Sequence, residues 1–164
     1  MDEIYIFTPD SGLSVISEPL VGIQDGRPAF VTTEGEQKGW NAVVDNPEGH
    51  SLAFVPLDHN IIIHPTPGTT YSLCDGMLYR GTHWIALVEL KDQARGWIEE
   101  AICQLKSTIK LIQANPRTKD FTLHEAYAAN KQHPTFHSSA KSRMNEFRNE
   151  TKFRLIIANR IKVK

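Results

Sequence analysis

Asp75, Glu89 and Lys91 are the residues of this chain whose types and spacing suit chemistry; they fall within SLCDGMLYRGTHWIALVELKD, residues 72–92. Side chains alternate along a β-strand, so Glu89 and Lys91 share one face while Leu90 takes the other. Asp75 lies on the preceding arm of a hairpin that turns through Arg80-Gly81-Thr82. Near the open end of that hairpin the two carboxylates converge. Carboxylates held close repel unless a cation lies between them. A hard divalent ion is held by one or two carboxylates and keeps several waters. Such an ion makes a bound water nucleophilic and stabilises charge on a phosphoryl oxygen. A lysine, as a compact point charge, can hold the attacking water or balance the developing negative charge. The competing reading is a buried strand that surfaces through two ordinary solvated charges.

The surrounding pattern supplies elements that would position these groups. HWIALVEL is almost wholly apolar, which fits a central strand buried on both faces. YSLCDGMLY is its hairpin partner. After Lys91 the period changes: Ile98, Ile102, Leu105, Ile109 and Ile112 mark one face of an amphipathic helix over about 92–114, closed by Asn115-Pro116. Earlier, EIYIF, GRPAFVTT, SLAFVPL and NIIIH read as strands, with turns at TPDSG and PTPGTT. Trp40, Val43 and Val44 sit at helical spacing, which favours a short helix before Asn46-Pro47. DFTLHEAYAAN suits a strand or a short helix, SSAKSRMNEFRNE a serine-capped helix, and KFRLIIANRIKVK a strand or hairpin. The order implies one α/β domain over residues 1–164, an α+β mixed sheet flanked by helices.

In this context the chain resembles the PD-(D/E)xK nuclease superfamily. The resemblance rests on Asp75, Glu89-Leu90-Lys91, the hairpin and the helix that follows, and covers roughly residues 50–130. It implies a restriction-endonuclease-like core, with Asp75 and Glu89 binding Mg²⁺ or Mn²⁺ and Lys91 assisting the attack. Cys74 stands where the proline of the family's name would be. Some branches add a glutamine on the following helix with a tyrosine four residues later; Gln104 suits the first position, while Thr108 replaces the tyrosine. Helical angles place Gln104 with Trp97, Ala101 and Thr108 along a border of the apolar face. Many members also supply an acidic residue from a first helix, for which Glu34, Glu36 and Glu48 are candidates. The implied activity is phosphodiester hydrolysis, in DNA before RNA, in restriction, repair or defence. A non-catalytic binding or immunity-type protein on the same fold is the alternative, and a module whose Glu89 and Lys91 are incidental is a third.

The net charge of −1 conceals an asymmetry. Residues 1–90 carry three basic and twelve acidic residues, a net of −9; residues 91–164 carry fifteen and seven, a net of +8. Lys141, Arg143, Arg148, Lys152, Arg154, Arg160, Lys162 and Lys164 crowd one region and would suit phosphates beside the acidic site, or else form a solvated face. Cutting both strands at one place would call for a homodimer.

Other chemistries find less support. His133 and His137 have zinc spacing, but Pro134 opposes a regular helix between them and no third ligand is evident. His83 reads as a loop residue and Cys103 as core. There is no G-x-S-x-G elbow and no glycine-rich phosphate loop. Two cysteines are too few for a disulfide scaffold, and no apolar run spans a bilayer; a cytoplasmic setting is the expectation.

Overall fold

The computed structural model describes residues 6–61, 63, 67, 71–133 and 140–164. It is an α+β structure with two mixed sheets and two helices. The elements in order are β1 (Ser14–Ile16), β2 (Leu20–Gln24), β3 (Phe30–Thr32), β4 (Ala42–Asp45), β5 (Leu52–Pro56), β6 (Gly76–Arg80), β7 (Trp84–Lys91), α1 (Trp97–Ile112), β8 (Leu123–Asn130), α2 (Lys141–Thr151), β9 (Arg154–Ile157) and β10 (Arg160–Lys162), with short 3₁₀ turns between some of them. The larger sheet has six strands in the order β1-β5-β6-β7-β8-β9, the smaller four in the order β10-β4-β2-β3.

β7 is the axis of the larger sheet. Every residue from Trp84 to Leu90 is buried. It pairs antiparallel with β6 and parallel with β8. Ile85 and Leu87 enter the core shared with α1, whereas Trp84, Ala86, Val88 and Leu90 enter the core shared with the smaller sheet. An apolar residue is therefore required at each of these positions, which is why the sequence shows no alternation there. The predicted hairpin forms, with its turn at 81–83, one residue later than Arg80-Gly81-Thr82, because Arg80 still pairs with Trp84.

Helix α1 starts at Trp97 rather than at 92. Gly96, in the left-handed region at φ 70°, separates it from a connection whose main chain is held by Asn130. Asn130 Nδ2 donates to the Gln93 carbonyl at 2.7 Å, and the Gln93 N–H donates back to Asn130 Oδ1 at 3.3 Å. Once started, α1 buries Ile102, Leu105, Ile109 and Ile112 against the sheet. Cys103 lies off that stripe and is exposed, so it is not the core residue expected. His83 is exposed in the hairpin turn.

The expected helix around Val43 is a strand. A single 3₁₀ turn over Gln37–Gly39 precedes it. Ala42, Val43 and Val44 are all buried, with β2 on one side and β10 on the other. Two-sided burial of β-branched residues prevails over a helical spacing that three residues can mimic by chance. DFTLHEAYAAN contains β8, and the C-terminal run is two strands but no hairpin: β9 extends the larger sheet, while β10 pairs with β4 of the smaller one. Ala140, not a serine, holds the N-cap of α2; Ser138 and Ser139 lie outside the described residues. EIYIF lies partly outside them as well, and its last two residues, Ile6 and Phe7, are buried without being in a strand. NIIIH and PTPGTT also fall partly outside them; Ile61 and Ile63 are not in a strand. No helix among the described residues is long and apolar enough to cross a membrane.

Candidate functional site

The register of the β6–β7 hairpin decides where the acidic groups meet. Gly76 pairs with Val88, so Asp75, one residue before β6, comes opposite Glu89. Met77 and Tyr79 on β6, and Ile85 and Leu87 on β7, all face the α1 side. By alternation Asp75, Glu89 and Lys91 share that face. They open into a cleft of about 430 Å³ at the end of β7, which Gln104 also lines.

Asp75 is fixed by the backbone: the Leu90 N–H donates to its Oδ2 at 2.7 Å. The Asp75 and Glu89 carboxyls adjoin one another, opposite in the hairpin register. Burial, then the neighbouring Asp75 charge, pushes the Glu89 carboxyl up to about 9. Asp75 is raised too, by burial first, against the lowering effect of the Leu90 N–H. Two adjacent carboxyls, one buried and one half-buried, cannot both ionise cheaply, so the pair retains a proton at neutral pH.

Lys91 closes the other side. Its Nζ lies 3.3 Å from Glu89 Oε2 and 3.4 Å from Glu100 Oε2 on α1. Burial alone would lower the lysine, but Glu89 and then Glu100 outweigh it, and the ammonium stays charged. All three residues singled out by the sequence are thus brought together. Gln104 borders the same cleft, though its Oε1 accepts from the Ser72 hydroxyl, which ties α1 to the segment leading into Asp75. Next along that segment, the Cys74 N–H donates to Thr108 Oγ1 at 2.7 Å. Burial, and after it the Glu89 charge, raises the Cys74 thiol, so it serves as packing rather than as a nucleophile.

Asp25, Arg27, Asp58 and His59 line the cleft as well, and sequence reasoning missed them. Asp25 and Arg27 come from the turn between β2 and β3, on the other sheet, and no spacing in the sequence signals that approach. Asp58 was within reach. The β5–β6 pairing continues past the strands, with Leu57 N donating to the Asp75 carbonyl at 2.9 Å and Asp58 N to the Cys74 carbonyl at 3.1 Å. An acidic residue ending the strand beside the one that leads from Asp75 was a readable signal. Both Asp25 and Asp58 push Asp75 upward. The acidic candidates Glu34, Glu36 and Glu48 do not line the cleft; Glu36 pairs with Lys38 and Glu48 with His50.

Among the described residues no three His, Cys, Asp or Glu side chains form a ready metal-ligand set. The donor set at the cleft is the two-carboxylate pair. It fits a hard divalent ion that keeps most of its waters, because such an ion would offset the cost of burying the two carboxylates side by side, burial being what chiefly raises both groups. His133 stacks on Trp97 and its Nε2 meets the Ala94 carbonyl at 3.1 Å, while His137 lies outside the described residues.

Of the two placements the sequence left open for the basic C-terminal residues, the structure shows the exposed face and not the one beside the acidic site. None of the eight lines the acidic cleft. Arg143 pairs with Glu99, and Arg160 with Asp45. Arg148, Lys152, Arg154 and Lys164 line another cleft, beside the first residues of β8. The reason is topological: β8 runs parallel to β7, so its start lies at the opposite end of the sheet from Lys91. No family model, curated protein or solved structure matches this chain.

Proposed function

We propose that the protein is a divalent-metal-dependent nuclease that hydrolyses phosphodiester bonds, in DNA before RNA, on a restriction-endonuclease-like core. The observation that carries this reading is the meeting of Asp75, Glu89 and Lys91 at one end of a central buried strand. The element order supports it further: an antiparallel meander β5-β6-β7, a long helix, then a strand parallel to the one bearing Glu89 and Lys91.

In this reading Asp75 and Glu89 hold Mg²⁺ or Mn²⁺, which when bound supplies an activated water and charge stabilisation at the phosphoryl oxygen. Asp75 is preorganised by the Leu90 N–H, so little rearrangement is needed for it to act as a ligand. Glu89 would hold the ion as a carboxylate, its proton passing to solvent. Lys91 keeps its positive charge against the negative charge that develops on the phosphate. Gln104, held by Ser72, orients polar contacts at the rim.

A second reading keeps the scaffold without the cutting: a binding or immunity-type protein. It is favoured by Glu100, which engages the ammonium of Lys91 from the solvent side. One assay separates the two. Plasmid and single-stranded DNA are incubated with Mg²⁺ or Mn²⁺ and with wild type, Glu89→Ala or Lys91→Ala. Cleavage lost in both variants is the expected result. Cleavage retained in both removes the proposed site, and DNA binding without cleavage by the wild type selects the second reading.

A further inference from the structure

We infer that the end of the larger sheet opposite the acidic cleft is a docking surface for the phosphate backbone of a nucleic acid duplex. Arg148 in the last turn of α2, Lys152 just past it, Arg154 at the start of β9 and Lys164 surround a cleft of about 280 Å³. All four are exposed, and none is in an ion pair among the described residues. Two other charges on the same helix are paired: Arg143 with Glu99 at 2.7 Å, and Glu150 with Lys106 at 2.8 Å.

The one carboxylate at this cleft, Glu125, is buried and already engaged. It accepts from Trp84 Nε1 at 2.7 Å and from the Tyr127 hydroxyl at 3.4 Å, and it faces Arg154 in the β8–β9 register. It leaves the four cations with a net charge of +3. Helix-dipole complementarity accounts for Arg148 and Lys152 at the C-terminus of α2, but not for Arg154 or Lys164.

The shape points beyond a single phosphate. A second cleft, of about 490 Å³, adjoins the first through shared His124 and Lys152 and adds Lys119. Cations from several elements, strung along one groove and in excess over its one carboxylate, complement a ladder of phosphates. This surface does not rest on the chemistry of the Asp75 cleft. The eight-residue register from Leu123 to Asn130, seven steps along the strand, separates the two by about 23 Å.

The test is fluorescence anisotropy with a labelled duplex oligonucleotide in EDTA over a salt series. The proteins are wild type, the Arg148→Ala/Arg154→Ala double variant and Arg143→Ala, each first checked for an unchanged thermal midpoint. Expected is salt-dependent binding by wild type and Arg143→Ala alike. The double variant should bind about tenfold or more weakly, with a log–log salt slope shallower by about 2, one per arginine. Wild-type affinity and slope in the double variant overturn the inference. So does an absence of duplex binding at low salt, or capture of polyglutamate in its place. Duplex binding that needs Arg148 and Arg154 in a protein that never cuts DNA upholds this surface and rejects the nuclease reading.

Discussion

The Leu90 N–H donates to Asp75 Oδ2 at 2.7 Å, so the residue between Glu89 and Lys91 in sequence is the one that fixes the aspartate facing them. Leu90 has a double role. Its side chain packs into the core on the smaller-sheet side, and its backbone orients a carboxylate on the other. The acidic pair is thereby tied to the most deeply buried strand in the protein, and its energetics follow from that burial.

A consequence is pH-dependent stability. Burial first, and the Asp75 charge second, raise Glu89 from its ordinary 4.5 to about 9. The folded state therefore binds this proton more tightly than the unfolded chain. The stability it contributes is fully present below pH 4.5 and is lost as pH rises through about 9. Without divalent ions the wild type should lose stability across that window, by at most about 1.4 kcal/mol per pH unit for one proton. Glu89→Gln should flatten this slope. Urea denaturation across the window measures it, and parallel slopes for the two proteins would show that Glu89 does not hold the proton.

Metal entry should expel the same proton. Ligating carboxylates must be deprotonated, so Mg²⁺ or Mn²⁺ binding near neutral pH should release about one proton per ion. Calorimetric titration in two buffers of different ionisation enthalpy counts it. Asp75→Asn and Glu89→Gln should each lose the metal-binding signal, and binding that persists in both would put the ion elsewhere.

Lys91 should matter to rate more than to folding. Its ammonium contacts Glu89 and Glu100, and neither contact builds the core. Lys91→Ala should lower cleavage by about 100-fold or more while the thermal midpoint stays close to wild type. Glu100→Gln keeps the ammonium in place through Glu89, and should leave the rate within a few-fold. Equal losses in the two variants would mean that the ion pair, not the amine, is what counts.

Much of this site was legible because its key residues lie within 17 positions of one hairpin, where strand alternation and register are strong constraints. Helix α1 was legible for the same kind of reason, since its stripe of isoleucines and leucine is long. Val43 misled because three residues cannot distinguish two periods, and only pairing with β2 and β10 decides between them. The placement of the basic residues stayed open for a topological reason: charge composition says nothing about which end of a parallel strand a residue occupies. Asp25 and Arg27 were illegible because they reach the cleft from a second sheet.

Gly76 links the position of Asp75 to packing. A Cβ at this residue would come within 2.7 Å of the Phe54 ring on β5, which is itself buried. Gly76→Ala must therefore displace the ring or the strand, at a cost of about 1–3 kcal/mol. Chemical denaturation should show this loss. Phe54→Leu in the same background should recover part of it; a purely additive double variant would indicate that the ring is not what the methyl meets.

Thr108 offers the sharpest test of how α1 holds the acidic segment. Its Oγ1 accepts from the Cys74 N–H at 2.7 Å and donates to the Gln104 carbonyl at 2.8 Å, and both Thr108 and Cys74 are fully buried. Thr108→Val preserves the shape but leaves the Cys74 N–H without an acceptor, which costs about 1–3 kcal/mol. Thr108→Ser keeps the hydroxyl and should restore most of that stability. The amide in question immediately precedes Asp75, so the valine variant should also weaken metal binding, whereas serine should not. A valine variant as stable as wild type, with unchanged metal affinity, would mean that the β6–β7 hairpin holds Asp75 without help from the helix.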